Sequence, residues 1–236
     1  MSDMKTKEGS LRSSSAAIAV TAIFSAMAVA ITLTKLTIPF PLLPYLKFDF
    51  SEVPVMVTLM LMGPVYGFLS SVIYWLVLWF RAGDPLGPAM KFAAVSSMMV
   101  GFWVASMVYR KVSRKNSVAS RGVSEKAAKT KMDNSLVTGL LFGSLFRVIV
   151  MSVFNYLVLL YIAPYYVDFI APILASIRFP AETTGDVVIY SLLLTAVYNV
   201  IHSAVSIFPA YILTKAALQR VPGIIGGAWI REFLED

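Results

Sequence analysis

The chain of 236 residues contains no cysteine and a single histidine, His202. The lack of cysteine excludes disulfides, thiolate metal sites and cysteine nucleophiles. One histidine is too few for a typical zinc or iron site, which draws on several histidines and carboxylates. The sequence also lacks a glycine-rich phosphate-binding loop ending in Lys-Ser or Lys-Thr. We therefore expect no metal, no bound cofactor and no nucleotide hydrolysis by this chain.

Charge is also scarce, since 14% of the residues are charged while 58% are hydrophobic. This is more apolar sequence than one soluble core of this size would bury, and a helix needs about 20 apolar residues to cross a bilayer. The composition predicts an all-α integral membrane protein that forms a single transmembrane domain, residues 1–236. Six spans fit the pattern, and the second is short: 14–34, 52–63, 64–81, 89–109, 135–162 and 185–216.

The positive charges, which give the chain a net charge of +7, are unevenly placed. If the amino terminus is cytoplasmic, fourteen of the 20 basic residues fall on the inner side, many of them in the segment 110–133. Positively charged loops remain in the cytoplasm, so we expect both termini inside and the protein in the plasma membrane. The same placement favours the lipid bilayer over nucleic acid as the partner. The basic segment is predicted to be a mobile loop that anchors topology or contacts anionic lipid or a cytoplasmic partner.

A proline-rich, mostly apolar stretch, Ile38 to Pro54, separates the first two spans. It is too broken by proline to cross lipid as a helix and too apolar for a solvated linker. Such a segment survives beside a membrane by packing on protein, so we interpret it as a proline-rich outer loop capping a binding site. At its end Asp49 and Glu52 flank Ser51, a pattern that predicts capping of the next helix.

Polar side chains inside the later spans are candidates for ligand contacts, because burying an unsatisfied polar group in lipid is costly. Asn155 lies in the fifth span, and Asn199 and His202 share a face of the sixth. Amide and imidazole groups both offer donors and acceptors, which suits a flat heterocycle with an alternating edge. Aromatic residues are expected to form flat walls or, alternatively, core and interfacial contacts: Phe40, Tyr45, Phe48, Phe50, Tyr156, Tyr161, Tyr165 and Tyr198.

Two cations within the spans leave alternatives open. Arg147 fits either snorkelling toward the inner surface or a role in coupling, and Lys91 fits contact with either the outer interface or a ligand. The first span carries Ala22, Ala26 and Ala30 in one row. Small residues at this spacing allow close approach of helices, either within the bundle or with an external partner.

Several segments together resemble a known family: PFP at 39–41, LPYLKFDFSEVP at 43–54, GPVYG at 63–67, NY at 155–156 and YNVIH at 198–202. They resemble the S component, the substrate-binding membrane subunit, of energy-coupling factor vitamin importers, closest to the riboflavin-specific branch. The resemblance covers residues 14 to 216. It implies six helices, an outward-facing riboflavin site under the first outer loop, a transmembrane coupling component and two separate cytoplasmic ATPases.

The resemblance also implies site residues. Docking on the coupling component falls to the row Ala22, Ala26 and Ala30. Ligand binding falls to Leu43, Tyr45, Leu46, Lys47, Phe48, Asp49, Lys91, Asn155, Tyr156, Asn199 and His202. His202 departs from the family pattern, which usually has lysine there, and we expect Lys91 to supply that cation.

Other functions remain as alternatives. Another heterocyclic vitamin fits if Lys91 does not replace the missing lysine. A self-sufficient secondary transporter also fits, although the sequence shows no carboxylate at the membrane centre for proton coupling. An intramembrane hydrolase using Ser206 with His202 is geometrically possible, but the sequence shows no orienting acid nearby.

Overall fold

The computed structural model describes residues 14–117, 125–220 and 228–230. Within these ranges the chain forms seven α-helices, one π-helical segment that continues α5, and one antiparallel pair of strands. In chain order they are α1 (Ser14–Leu33), β1 (Thr37–Phe40), β2 (Leu43–Asp49), α2 (Glu52–Met62), α3 (Pro64–Ala82), α4 (Leu86–Ser117), α5 (Glu125–Leu157), the π segment (Val158–Ile162), α6 (Tyr165–Ser176) and α7 (Thr184–Arg220).

Five of the described helices are long and apolar enough to cross a membrane, namely α1, α3, α4, α5 with its π segment, and α7. The short α2 lies at the centre of the bundle, where every residue from Glu52 to Leu61 is buried. It contacts α1, α3, α4 and α7. Its 11 residues rise about 16 Å, so burial among longer helices accounts for its apolar composition.

The predicted bounds of the first three spans agree with the structure to within a residue or two. The expected turn between the second and third spans is also present. Gly63 has φ +94°, a conformation that glycine tolerates, and Pro64 opens α3 at a position where its missing N–H costs nothing.

The proline-rich stretch between α1 and α2, predicted as a loop of an all-α protein, forms a β-hairpin of β1 and β2. Thr37 pairs with Asp49, Ile38 with Phe48 and Pro39 with Lys47, and the register shifts after Pro39. Prolines usually argue against a strand, but a two-stranded ribbon has free edges on which their missing N–H groups cost nothing. The signal for pairing was therefore hidden by the prolines.

The predicted loop at 110–133 is also wrong for most of its length. Helix α4 continues to Ser117 and α5 begins at Glu125, while residues 118–124 lie outside the described ranges. Lysine, arginine, glutamate and alanine are good helix formers, and helices that leave the membrane can continue in water. The helix α6 was not predicted either.

Two buried apolar clusters stabilise the bundle. One surrounds α2 and includes Met56, Leu59, Met98 and Ile207. The other lies under the hairpin, where Phe40 and Leu43 pack against α6 and α7. The space between these clusters is where the polar side chains of the spans converge.

We expect Gly101→Ala to destabilise the protein by about 1–3 kcal/mol, because an added methyl group would overpack the contact between α4 and α5. A Cβ on Gly101 would lie 2.3 Å from the backbone oxygen of Phe142. Thermal unfolding in detergent measures the loss. Gly185→Ala is the control, since its Cβ meets only Thr183 Oγ1 at 3.6 Å. Equal melting temperatures for the two variants would contradict this packing.

Candidate functional site

A cavity of about 280 Å³ lies between the hairpin and helices α4, α5 and α7, close to the lower limit for small-molecule sites. Four elements supply most of its walls. The lining residues are Tyr45, Leu46, Lys47, Asp49, Glu52, Gly87, Met90, Lys91, Ala94, Arg147, Met151, Asn155, Thr195, Tyr198, Asn199 and His202.

The hairpin is fixed over the cavity by contacts with α7. Tyr198 donates its hydroxyl hydrogen bond to the backbone oxygen of Lys47 at 2.7 Å. The ring of Phe48 stacks on Tyr198 with centroids 4.8 Å apart and meets the His202 ring edge-on at 5.6 Å. Leu43 is fully buried beneath the hairpin. The strands are therefore packed onto the bundle as well as paired with each other.

The end of the hairpin is bound to α4 by an ion pair. Lys91 Nζ donates to the carboxylate of Asp49 and to Ser51 Oγ, the latter at 3.1 Å. Ser51 Oγ also lies 2.6 Å from the hydroxyl of Tyr74 on α3. This chain of contacts connects the hairpin with α3 and α4 at the rim of the cavity.

The predicted capping of α2 by Asp49, Ser51 and Glu52 is present only in part. Ser51 is the N-cap residue of α2, but its side chain makes no capping hydrogen bond. Asp49 Oδ1 accepts a hydrogen bond from the backbone N–H of Ser51 at 3.0 Å, and the same carboxylate binds Lys91, while Glu52 is directed into the bundle. The ion pairs form because a lysine or arginine in a poorly solvated interior needs a carboxylate partner.

A second ion pair, between Arg147 and Glu52, lines the cavity. Arg147 donates to both carboxylate oxygens of Glu52, at 2.6 and 3.1 Å, and the side chains are 2% and 0% exposed. Arg147 Nε donates to Asn199 Oδ1 at 3.0 Å, and Arg147 Nη2 lies 3.0 Å from His202 Nδ1. Ser206 donates to Glu52 at 2.8 Å. Of the two alternatives left open for Arg147, snorkelling toward the inner surface is excluded, because a buried carboxylate holds the guanidinium in the interior.

Most of the ligand contacts expected from the sequence meet in this cavity. The lining includes Tyr45, Leu46, Lys47, Asp49, Lys91, Asn155, Asn199 and His202. Leu43 and Phe48 lie behind the lining as supports. Tyr156 is 43% exposed and contacts Tyr161 on the outside of α5, so the structure does not bring it to the cavity.

Several lining residues were missed, chiefly Glu52, Met90, Met151 and Thr195. Helical spacing offered a signal for two of them. Met151 lies midway between Arg147 and Asn155 at intervals of four, and Thr195 lies four residues before Asn199, so each shares a helix face with a polar residue. Glu52 gave no such signal, because its partner Arg147 is 95 residues away in the chain.

The geometry does not support a hydrolase. The sequence suggested no acid near His202, yet Glu52 Oε1 lies 3.7 Å from its Nε2. Ser206, however, donates to Glu52 and to the backbone oxygen of His202, and it makes no hydrogen bond to the imidazole. A serine nucleophile needs that bond to its base. Within the described ranges, no group of three His, Asp or Glu side chains could hold a metal ion.

The alanine row of α1 lies on the outside of the bundle. Ala22, Ala26 and Ala30 are exposed, while the preceding residues Thr21 and Ser25, about 100° around the helix, are buried. Ser25 donates to Ser70 of α3 at 2.9 Å. Of the two alternatives predicted for the row, packing within the chain's own bundle is excluded among the described residues.

These features define a helical membrane protein built around an internal cavity of small-molecule size. The family described as "ECF transporter, substrate-specific component" matches residues 16–228. The chain belongs to this family, whose members are transport subunits and not enzymes.

Two curated relatives are similar in sequence. "Riboflavin transporter RibU" of Staphylococcus aureus (strain TCH60) is 34% identical over 137 residues, which span 58% of this chain but only 61% of that protein. "Riboflavin transporter FmnP" of Bacillus subtilis (strain 168) is 26% identical over 185 residues, or 76% of this chain and 85% of that protein.

A solved structure shares the fold. It is described as the S component of a bacterial ECF transporter and superposes with a TM-score of 0.53 at 22% identity. The match covers 89% of this chain and 96% of the solved one. At that identity the likeness establishes the fold, and the ligand has to be argued from the site itself.

We expect Arg147→Met to destabilise the protein by about 3–5 kcal/mol, because it leaves the carboxylate of Glu52 buried without a counter-charge. The double variant Arg147→Met with Glu52→Gln removes both charges and should recover most of that loss. Thermal unfolding in detergent compares the two. A double variant that melts as low as the single one would show that the pair does not act as a charge-balanced unit.

Proposed function

We propose that this chain binds riboflavin, or a closely related flavin, as the substrate-specific subunit of an energy-coupling factor importer. The observation that carries the proposal is the cavity between the hairpin and α4, α5 and α7. It combines an aromatic wall at Tyr198 with polar groups at Asn155, Asn199 and His202. The names of both curated relatives add support, since each is called a riboflavin transporter.

The shape and polarity of the cavity suit a flat heterocycle. Tyr45 and Tyr198 offer apolar surface for ring stacking, while the amides and the imidazole offer hydrogen bonds to a polar ring edge. A ligand held in this way has most of its apolar surface buried with its polar edge satisfied, which is how small-molecule sites combine affinity with specificity.

The charge balance of the cavity favours a neutral ligand. The buried cation Arg147 is neutralised by Glu52, and Lys91 is bound to Asp49. Binding an anion would compete with one of these carboxylates for its cation, at a cost in desolvation and repulsion. Riboflavin carries no charge at neutral pH. Lys91 therefore closes the cavity through Asp49 in this proposal, while His202 contacts the ring without charge.

The hairpin is proposed as the cap of the site, and residues 1–236 as a single transmembrane domain with six spans, α2 being the short one. In this topology both termini lie on the cytoplasmic side of the plasma membrane.

A transmembrane coupling component docks on the exposed row Ala22, Ala26 and Ala30, where small side chains allow close helix contact. Two separate ATPase subunits supply the energy.

Riboflavin added to the purified protein should lose fluorescence on binding, and Asn199→Ala should weaken the binding about tenfold or more. The weaker binding follows from a missing hydrogen bond at Asn199, which is 2% exposed, because a buried partner is left unpaired. Fluorescence titration in detergent measures the dissociation constant.

Asn134→Ala is the matched control, because Asn134 is exposed near the start of α5 and does not line the cavity. Well-folded wild-type protein that leaves riboflavin fluorescence unchanged would sink the flavin assignment. Binding that Asn199→Ala and Asn134→Ala leave equally intact would place the ligand elsewhere.

Lys91→Met should speed the release of bound riboflavin about tenfold, because the end of the hairpin loses its ion pair with α4. Stopped-flow fluorescence after dilution measures the rate. Arg81→Met is the control, since Arg81 is an exposed cation at the end of α3 outside this cavity. Equal release rates in the two variants would show that Lys91 does not hold the cap closed.

A further inference from the structure

His202 and Asn199 form the polar floor of the cavity, and both residue types can present either a donor or an acceptor to a ligand. The contacts beneath them remove this freedom. Both side chains touch Arg147, whose guanidinium donates hydrogen bonds and accepts none. Each contact with Arg147 therefore defines which atom of the His202 or Asn199 side chain is the acceptor.

For His202 the consequence is a single tautomer. Arg147 Nη2 lies 3.0 Å from His202 Nδ1, so Nδ1 must accept and carries no proton. The imidazole proton is then on Nε2, on the other side of the ring. The nearest acceptors for this N–H are the Asp49 backbone oxygen at 3.3 Å and Glu52 Oε1 at 3.7 Å. The first contact is a long hydrogen bond and the second exceeds hydrogen-bond distance, so a ligand acceptor at 2.7–3.2 Å would bind this N–H better than either of them.

For Asn199 the orientation of the amide follows in the same way. Its Oδ1 accepts from Arg147 Nε at 3.0 Å, and its Nδ2 donates to the Thr195 backbone oxygen at 2.9 Å. The second N–H of Nδ2 has no acceptor among the described residues. Asn199 lines the cavity, so this spare donor is what it offers a ligand.

Glu52 is what keeps Arg147 in this position. It binds both terminal nitrogens of the guanidinium, and Ser206 holds the carboxylate from the other side. The planar guanidinium can then direct Nε toward Asn199 and Nη2 toward His202 at the same time. A lysine has one nitrogen and could not bind Glu52, Asn199 and His202 in this arrangement.

We propose that Arg147 and Glu52 are positioning residues that make His202 and Asn199 hydrogen-bond donors, so that the floor of the cavity selects a ligand edge made of acceptors. Such an edge is a ring carbonyl oxygen beside an unprotonated ring nitrogen. The flavin ring has edges of this kind, and the choice of flavin as the probe rests on the proposed function. The sequence had suggested that these side chains offer donors and acceptors alike, which the contacts of Arg147 exclude.

The tautomer of His202 tests the proposal directly, because His202 is the only histidine of the chain. Protein labelled with ¹⁵N-histidine and purified through a histidine-free tag gives one imidazole in the NMR spectrum. We expect an unprotonated Nδ1 and a protonated Nε2, both before and after riboflavin is added. A proton on Nδ1 in either state, or a doubly protonated ring, would overturn the proposal.

The variant Arg147→Lys tests whether the arginine sets the tautomer. It keeps the charge opposite Glu52 but removes the planar fork, so the His202 signals should move toward a mixture of tautomers, and riboflavin should bind about tenfold more weakly. Arg81→Lys makes the same exchange on an exposed residue and should change neither. Asn199→Ala leaves the contact between Arg147 and His202 in place, so it should keep the Nε2–H tautomer.

An unchanged tautomer in folded Arg147→Lys protein would overturn the role of the arginine. If that variant does not fold, the wild-type spectrum still decides the direction of the donor. The experiments also distinguish failure of the flavin proposal from failure of the tautomer proposal. A correct tautomer in a protein that ignores riboflavin would remove the flavin and leave the donor floor standing, whereas riboflavin binding with a proton on Nδ1 would do the opposite.

Discussion

The buried ion pair between Arg147 and Glu52 is the interaction on which the rest of the site depends. Two charges that are almost fully removed from solvent are tolerable only when each neutralises the other and their remaining hydrogen bonds are satisfied. Here the carboxylate comes from the first turn of α2 and the guanidinium from α5, and α7 supplies most of the remaining partners. One pair therefore fixes three helices and orients the floor of the cavity.

The second ion pair, between Lys91 and Asp49, fixes the rim of the cavity, as the first pair fixes the floor. It joins a two-stranded hairpin to a membrane-length helix. An isolated hairpin is at best marginally stable in water, so this one depends on α7 and α4 for its position. Because both pairs are neutral overall, the cavity is polar without a free buried charge, and that property suits an uncharged vitamin.

The comparison of sequence with structure shows which signals are local. Helix bounds near Gly63 and Pro64 were predictable, because the conformational limits of these residues act within the chain segment itself. The hairpin was not, since its prolines conceal strand pairing that packing against α6 and α7 makes favourable. The helical ends of α4 and α5 were missed for a different reason: their basic residues were interpreted as solvated loop, although the same residues are good helix formers.

The sequence by itself determined the membrane class, the bounds of the first three helices, the family and most of the polar residues that meet in the cavity, because apolar length, buried polarity and short motifs are properties of the chain alone. Only the tertiary structure decided which charges pair. Glu52 and Arg147 are 95 residues apart, and nothing in the local sequence of either one identifies the other. That pairing in turn decided that His202 and Asn199 are donors, since the role of an imidazole or an amide is set by the atom that faces it in space.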